Sequence, residues 1–404
     1  MSTSLLYHAF GIRGYHYVGT VHERGKTLFR VERPDGDLVC PCCQSREVIK
    51  RGRIVRRFRC VPIGRKPVVI ELPVQRIACT DCGAVRQTLI GFADERRTYT
   101  RKFERFVIEL SRHMTMRDVA RHLGVGWDLV KDIQKRNLER RFRHVRLKDL
   151  RLIAIDEISI GRGHRYLTIV LDLSTGAVVY IGDGKEAKAL EPFWRSLRHS
   201  GAKIEAVAVD LSPAFTMAVR KHLPKATIVY DHFHIIKLFN EKLSEMRRAI
   251  QREAQGPLQK KVLKGTRWLL LKARENLRDK HDERTRLEEA LRMNKPLATA
   301  YYLKEDLRQL WSLDDKAAAS AFLDDWISRA RCSGIRMLID FSKTLMLHRN
   351  GILAWYDHPI STGPLEGTNN KIKTLQKQAY GFRDQAFFKL KIMALHETKY
   401  ALTG

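Results

Sequence analysis

Three sets of residues in this chain could do chemistry by type and spacing. Cys40-Pro41-Cys42-Cys43 and Cys79-Thr80-Asp81-Cys82 are two CxxC knuckles. Each knuckle lets two sulfurs from one tight turn reach the same ion, and two knuckles supply the four thiolates of a tetrahedral zinc site. Cys42 competes with Cys43 for a place, although the doublet spacing favours Cys40, Cys43, Cys79 and Cys82. The stretch between the knuckles is longer than the commonest spacing, so a zinc ribbon with an extended hairpin is expected.

The second set is acidic. Asp156 ends the apolar run Leu152 to Ile155, and Asp210 ends the run Ala206 to Val209. Alone, each would be a strand-terminating turn former. Two in matched contexts, at the ends of strands of one sheet, can converge at its edge. Glu366 opens a helix after Ser361-Thr362-Gly363-Pro364 and shares a polar stripe with Asn369, Asn370 and Lys373 at i+3, i+4 and i+7, on a helix that also carries Ile372 and Leu375 for burial. Such a stripe points to a metal and phosphate site, and hard carboxylate oxygens suit Mg²⁺ or Mn²⁺. Glu157 alternates to the opposite face of its strand. Asp172 and Asp183 lie at turns, and Gly182-Asp183-Gly184 lacks the Gly-Lys-Ser/Thr of a phosphate loop.

The third set binds rather than reacts. In Met116 to Lys135, Ala120, Gly124, Val125, Val130 and Ile133 fall where a helix-turn-helix needs a small contact residue, a turn glycine and apolar anchors for the second helix. That helix would begin near Trp127 and present Trp127, Asp128, Lys131 and Lys135 to the major groove or to phosphates. An ordinary helical hairpin would show the same pattern less completely. Arg53, Arg56 and Arg57 belong to a basic crowd between the knuckles.

Elements must hold these sets in place. Residues 1–38 carry short β-like runs ending at Pro34-Asp35-Gly36-Asp37, 39–95 form the zinc module and 96–148 the helix-turn-helix. At Arg151 the chain changes character. Strand runs and helical runs follow in the order βββαβαβ through residue 236, with a hairpin turn at Gly161-Arg162-Gly163-His164. Residues 237–350 read as an all-helical insertion, and 351–404 complete the core with the Glu366 helix. The fold class is multidomain α+β.

Composition agrees with a polyanionic partner. The 404 residues hold 75 Lys and Arg against 45 Asp and Glu, a net charge of +30 spread along the chain. No segment has the apolar length to span a bilayer, and the start lacks an uninterrupted apolar signal region. A cytoplasmic, nucleoid-associated protein is expected, with no membrane partner. In that compartment thiols stay reduced, so six cysteines between Cys40 and Cys82 indicate metal rather than disulfides.

The Asp, Asp, Glu order resembles the DDE transposases with an RNase H-like core. With the strings Ala154-Ile155-Asp156-Glu157, Val209-Asp210-Leu211-Ser212-Pro213 and Gly363 to Lys373, and with the zinc and helix-turn-helix modules upstream, the chain resembles the ISL-three group of bacterial transposases over nearly its whole length. The resemblance implies that Asp156, Asp210 and Glu366 hold Mg²⁺ or Mn²⁺ for cleavage at terminal inverted repeats and for strand transfer into target DNA. Asn370, Lys371, Lys373 and Arg383 would hold DNA phosphates. Asp231-His232-Phe233-His234 is similar to an acid, two residues, then His motif of several DDE families, by which Asp231 and His234 would support the site; a structural pair at the strand end is the other reading. Trp268 would stack on an end base of double-stranded DNA, unless its leucine neighbours make it core. A homodimer or higher oligomer on DNA is implied, because two ends are handled together. A zinc and helix-turn-helix transcriptional regulator, or an inactive domesticated transposase, would explain only part of the chain. Asp231 could exchange roles with Asp210.

Overall fold

The computed structural model describes residues 5–34, 36, 38–161, 165–278 and 281–396. The expected turn residues Asp35, Asp37, Arg162, Gly163 and His164 lie outside them. The chain forms two compact units, Met1–Arg143 and His144–Gly404.

In the first unit a short helix, α1 (Leu5–His8), precedes five strands: β1 (His16–Glu23), β2 (Lys26–Glu32), β3 (Val48–Ile63), β4 (Lys66–Cys79) and β5 (Val85–Gln87). The sheet order is β1-β2-β4-β3, with β5 also on β4. Strand β4 alternates Val68, Ile70, Leu72 and Val74 into a core shared with Phe29, Val31, Phe58 and Cys60, the period of two that a half-buried strand requires. Strand β2 pairs in parallel with β4, so one sheet runs across the expected boundary at residue 38. Helices α2 (Arg101–Leu110), α3 (Met116–Leu123) and α4 (Trp127–Arg141) follow. The Thr100 and Thr115 side chains cap α2 and α3, accepting from the N–H groups of Phe103 and Asp118. Gly124 ends α3 at φ +60°, a left-handed turn that favours glycine.

The second unit holds β6 (Leu152–Gly161), β7 (Arg165–Asp172), β8 (Val178–Asp183), α5 (Glu191–Ser200), β9 (Ala206–Val209), α6 (Pro213–His222), β10 (Thr227–Tyr230) and α7 (His232–Glu253). This is the βββαβαβ order read from the sequence. The strands lie as β10-β9-β6-β7-β8, with β9 parallel to both β6 and β10, and β7 antiparallel to β6 and β8. Both faces are covered, which is why the first four residues of β6 and all of β9 are continuous apolar runs. Ile153, Ile155, Val207 and Val209 pack with Phe193, Trp194 and Phe215 on one face. Ala154, Ala208, Ile169 and Leu171 pack on the other with Leu365, Ile372 and Phe388. The last three belong to α14 (Gly363–Gln378) and α15 (Gln385–Met393).

Between the sheet and α14 run α8 (Pro257–Gly265), α9 (Arg267–Leu271), α10 (Glu283–Met293), α11 (Lys295–Gln309), α12 (Lys316–Cys332) and α13 (Arg336–Leu353). Their buried residues continue the core of the first sheet face: Phe239 of α7 meets Trp326 and Phe341, and Trp326 Nε1 donates to Leu303 O at 2.8 Å. Helix α13 docks on β10 through Gly351, where an added Cβ would stand 2.4 Å from the Tyr230 ring. Gly351→Ala is therefore expected to destabilise the unit by about 1–3 kcal/mol, the usual cost of overpacking, read as a lower midpoint in urea at unchanged slope.

Candidate functional site

The register of the second sheet decides where the acids meet. Ala154 pairs with Ala208 across the parallel β6–β9 ladder, so Asp156 and Asp210, each two residues further on, share a level and a face. That face is the one covered by α14. Tyr230 is level with Val209 on the next parallel strand, which brings Asp231 to the same row. Three carboxylates thus stand in one row across three adjacent parallel strands, spaced by about 5 Å per strand, Asp156 midway along β6 and Asp210 and Asp231 just past the ends of β9 and β10.

The three differ in what they are bound to. Asp156 accepts from the Glu157 N–H at 2.8 Å through Oδ1 and from Asn369 Nδ2 at 2.9 Å through Oδ2. Burial pushes its carboxyl above the ordinary range and the nearby Asp210 charge adds to this, against the hydrogen bonds and the His234 charge. Asp210 accepts from the Ser212 N–H at 3.0 Å through Oδ1, a turn bond. Asp231 is buried and consumed: Oδ2 receives Thr362 Oγ1 at 2.6 Å and His234 Nδ1 at 3.0 Å, and Oδ1 caps α7 at the Phe233 N–H. Desolvation opposes its charge, but the bonds from His234 and Thr362 win and hold the carboxyl below its usual range. The hydrogen bond to Asp231 in turn raises His234.

This pair has a pH signature. A His held above its ordinary 6.5 stabilises the fold fully below that value and loses the contribution as pH rises through its folded pKa. A carboxyl held below its ordinary 3.8 contributes above that value and loses the contribution as pH falls through its folded pKa. The stability difference between wild type and His234→Gln is expected to be largest between these two values and to shrink above 6.5, measured by urea unfolding at several pH values.

Glu366 is exposed in the first turn of α14, one turn before Asn369. Asn370, Lys371 and Lys373 are exposed on the same helix, as is Arg383 beyond it. The acids set aside in the sequence have structural partners: Asp172 accepts from the Ser174 N–H and Thr175 Oγ1 at a turn, and Asp183 pairs with Lys389 at 2.6 Å. Sequence reading placed Asn369 in the polar stripe but not in the site. Its signal was available as a seven-residue repeat of polar residues, Thr362, Asn369 and Gln376, on a helix that otherwise buries Leu365 and Ile372.

In the first unit the long β3–β4 hairpin explains how the knuckles meet, since Val48 at its start pairs with Cys79 at its end. The sulfurs of Cys40, Cys43, Cys79 and Cys82 all lie within 4.8 Å of one another. The Cys40–Cys82 and Cys43–Cys79 separations are 3.6 and 3.5 Å. Tetrahedral zinc at about 2.3 Å from each sulfur would set them about 3.8 Å apart, so the group fits the ion. Each knuckle closes on a left-handed residue, Gln44 at φ 62° and Gly83 at φ 69°. Backbone N–H groups of Cys43 and Cys42 bring the Cys40 thiol down to about 6. Cys42 is outside the cluster, and Cys60 is a core residue accepting from Thr100 Oγ1.

Helices α3 and α4 bury Val119, Ala120, Leu123, Val130 and Ile133 together, with Val125 packed alongside. Trp127 and Asp128 are exposed at the start of α4, with Lys131 and Lys135 half-buried one and two turns on. On the hairpin, Arg53 donates to Gln75, Arg56 to Arg97 O and Arg57 to Glu71, so these three are engaged within the fold. Trp268 is 65% exposed, with the Arg267 guanidinium 4.7 Å above its ring, and is not a core residue.

Residues 153–392 match the family model described as a transposase of the ISL3 type, and residues 90–136 match the helix-turn-helix domain of transposase family ISL3. The chain belongs to the ISL3 family of transposases. It is 33% identical over 385 residues to the transposase for insertion sequence element IS1001 of Bordetella parapertussis, covering 94% of each chain. It is 28% identical over 418 residues to the transposase for insertion sequence element IS1557 of Mycobacterium tuberculosis, covering 97% of this chain and 91% of the relative. Among solved structures it is similar to the Drosophila P element transposase strand transfer complex, with a TM-score of 0.41, 12% identity, and coverage of 76% of this chain and 93% of that one. As an insertion-sequence transposase with a helix-turn-helix, this ISL3 member is a DNA-binding enzyme of DNA cleavage and transfer. None of its described helices is long and apolar enough to cross a membrane.

Proposed function

We propose that this transposase binds the terminal inverted repeats of its own insertion sequence and cuts and joins them at a site built from Asp156, Asp210 and Glu366, on an RNase H-like core. The observation that carries this is the parallel register of Ala154 with Ala208, which sets Asp156 and Asp210 two residues further on at one level, on the face covered by the helix that bears Glu366. The β10-β9-β6-β7-β8 order, with three antiparallel strands followed by two parallel ones, supports the RNase H-like assignment.

Burial holds the Asp156 carboxyl above its ordinary range and the neighbouring Asp210 charge adds to this, so a divalent cation between the two would favour their charged forms. Asp156, Asp210 and Glu366 would hold Mg²⁺ or Mn²⁺, which supplies charge stabilisation at the scissile phosphate and lowers the pKa of the attacking water. The residues' own work is positional. Bonds from the Glu157 N–H and Asn369 fix the Asp156 carboxylate, and Asp210 is fixed by its turn. His234, held by Asp231, stands near both acids, whose charges favour its protonated form. Asn370, Lys371 and Lys373 would steady DNA phosphates, and Trp268 would stack on a base, an interaction of about 1–3 kcal/mol. Four thiolates in the first unit would hold a structural Zn²⁺. A homo-oligomer that brings two element ends together, associated with the nucleoid, completes the proposal.

The test is Mg²⁺-dependent cleavage of supercoiled DNA carrying the inverted repeats. Wild type should cut, Glu366→Ala should not, and both should bind; cutting by Glu366→Ala at the wild-type rate would remove Glu366 from the site. For recognition, Lys131→Ala should weaken binding uniformly across sequences and reduce the slope of log affinity against log salt by about 1, whereas a base contact would change sequence preference instead.

A further inference from the structure

Helix α14 is fastened to the sheet by three polar side chains seven residues apart. Thr362 Oγ1 donates to Asp231 Oδ2 at 2.6 Å, Asn369 Nδ2 to Asp156 Oδ2 at 2.9 Å, and Gln376 Nε2 to Ile160 O at 2.9 Å. Seven residues are close to two helical turns, so all three point along one side of α14, forming a seam beside the buried Leu365, Thr368 and Ile372. Of the outer members, Thr362 reaches the supporting Asp231 and Gln376 reaches a backbone carbonyl. Only the middle one reaches a carboxylate of the proposed site. The bond does two things at once: it fixes which way the Asp156 carboxylate turns, and it fixes the helix whose preceding turn carries Glu366.

Asn369 is incompletely satisfied. Its carbonyl Oδ1 is buried with no hydrogen-bond partner among the described residues. A buried amide that only docked a helix would be expected to use both ends. Among the described residues the bond to Asp156 is thus the side-chain hydrogen bond that holds this amide.

We infer that Asn369 is a positioning residue for Asp156, setting the orientation of its carboxylate and the approach of Glu366, so that affinity for the divalent cation depends on it. This rests on the reading of Asp156 as a metal-holding carboxylate. Residues that orient metal ligands in this way change metal affinity by roughly 10–100-fold when removed.

The test is a Mn²⁺ titration of the zinc-loaded full chain without DNA, following free Mn²⁺ by electron paramagnetic resonance. Asn369→Ala is expected to weaken Mn²⁺ binding by about 10–100-fold. Asn369→Leu, which keeps side-chain volume and buries no polar atom, should weaken it as much and serves where the alanine variant folds poorly. Gln376→Ala removes a tether that touches no acid, and should lower the thermal midpoint while leaving Mn²⁺ affinity within about twofold, since bystander positions leave ligand geometry intact. If Asn369→Leu binds Mn²⁺ like wild type, the inference is wrong. If Gln376→Ala weakens binding as much as Asn369→Leu, the seam merely docks the helix and the inference is equally wrong. Asp156→Asn separates the underlying reading: unchanged Mn²⁺ binding there would overturn the metal site itself, whereas lost binding there with wild-type binding in Asn369→Leu would overturn the role of Asn369 alone.

Discussion

Asp156→Ala is expected to reduce DNA cleavage by roughly a thousandfold or more while leaving affinity for the inverted repeats within about twofold, because a catalytic metal supplies several kcal/mol of transition-state stabilisation and each 1.4 kcal/mol is tenfold in rate. The two effects separate because the helix-turn-helix lies in the first compact unit and Asp156 in the second. Both Asp156 oxygens are held, one by its neighbour's N–H and the other by Asn369. Removing it exposes no large cavity, since the site is only partly buried, so the variant should stay folded. Asp210→Ala should behave alike. Asp231→Ala should not: that buried carboxylate is tied to Thr362 and His234, and its loss should lower stability first and activity as a consequence. Cleavage and filter-binding measurements on the three variants, with urea unfolding beside them, decide among these roles. Wild-type cleavage by Asp156→Ala would end the proposed site.

Cys79→Ser is expected to release zinc and to open one end of the first sheet only. Structural zinc contributes on the order of 10 kcal/mol to folding in small modules that have little else. The knuckle end of the sheet has little else: its apolar cluster is Cys40, Ile77 and Cys79, with Val48 and Ala84 at the side. The opposite end has Phe29, Val31, Phe58, Val68, Ile70 and Leu72 buried together. Amide exchange from Val48 to Arg51 and from Val85 to Gln87 should therefore accelerate by at least about a thousandfold, with the amides near Phe58 and Ile70 still protected. Zinc content by atomic absorption should fall to zero. Cys60→Ser, which alters a core thiol outside the cluster, should keep its zinc. Retained protection at the knuckle end of Cys79→Ser would mean that the four sulfurs need no ion.

Several features were legible without coordinates because they are local. The paired CxxC spacing, the glycine that ends α3, the apolar anchors of α4 and the uninterrupted runs of β6 and β9 follow from backbone geometry and hydrophobic period over a few residues. So does the presence of an acid at the end of each run. The sequence by itself thereby determined the element order, the four sulfur ligands up to the choice between Cys42 and Cys43, and the candidates for the acidic site.

Register and partnership were decided by tertiary structure. Asp210 and Asp231 are equivalent as strand-end acids in the sequence, and they stand at the same level of adjacent strands; what divides them is that Thr362, 131 residues away, spends its hydroxyl on Asp231 and leaves Asp210 without it. Trp268, followed by three leucines, reads either as a base-stacking residue or as core, and the packing of α9 buries Leu269 and Leu270 and leaves the indole outside. Arg53, Arg56 and Arg57 read only as a basic crowd between the knuckles, and the fold gives them Gln75, Arg97 O and Glu71 as partners. In each case the deciding contact joins residues distant in the chain, and no local period encodes it. Two apolar runs followed by aspartate make an acidic pair possible; only the parallel register of Ala154 with Ala208, with α14 laid over that face, brings the proposed pair side by side.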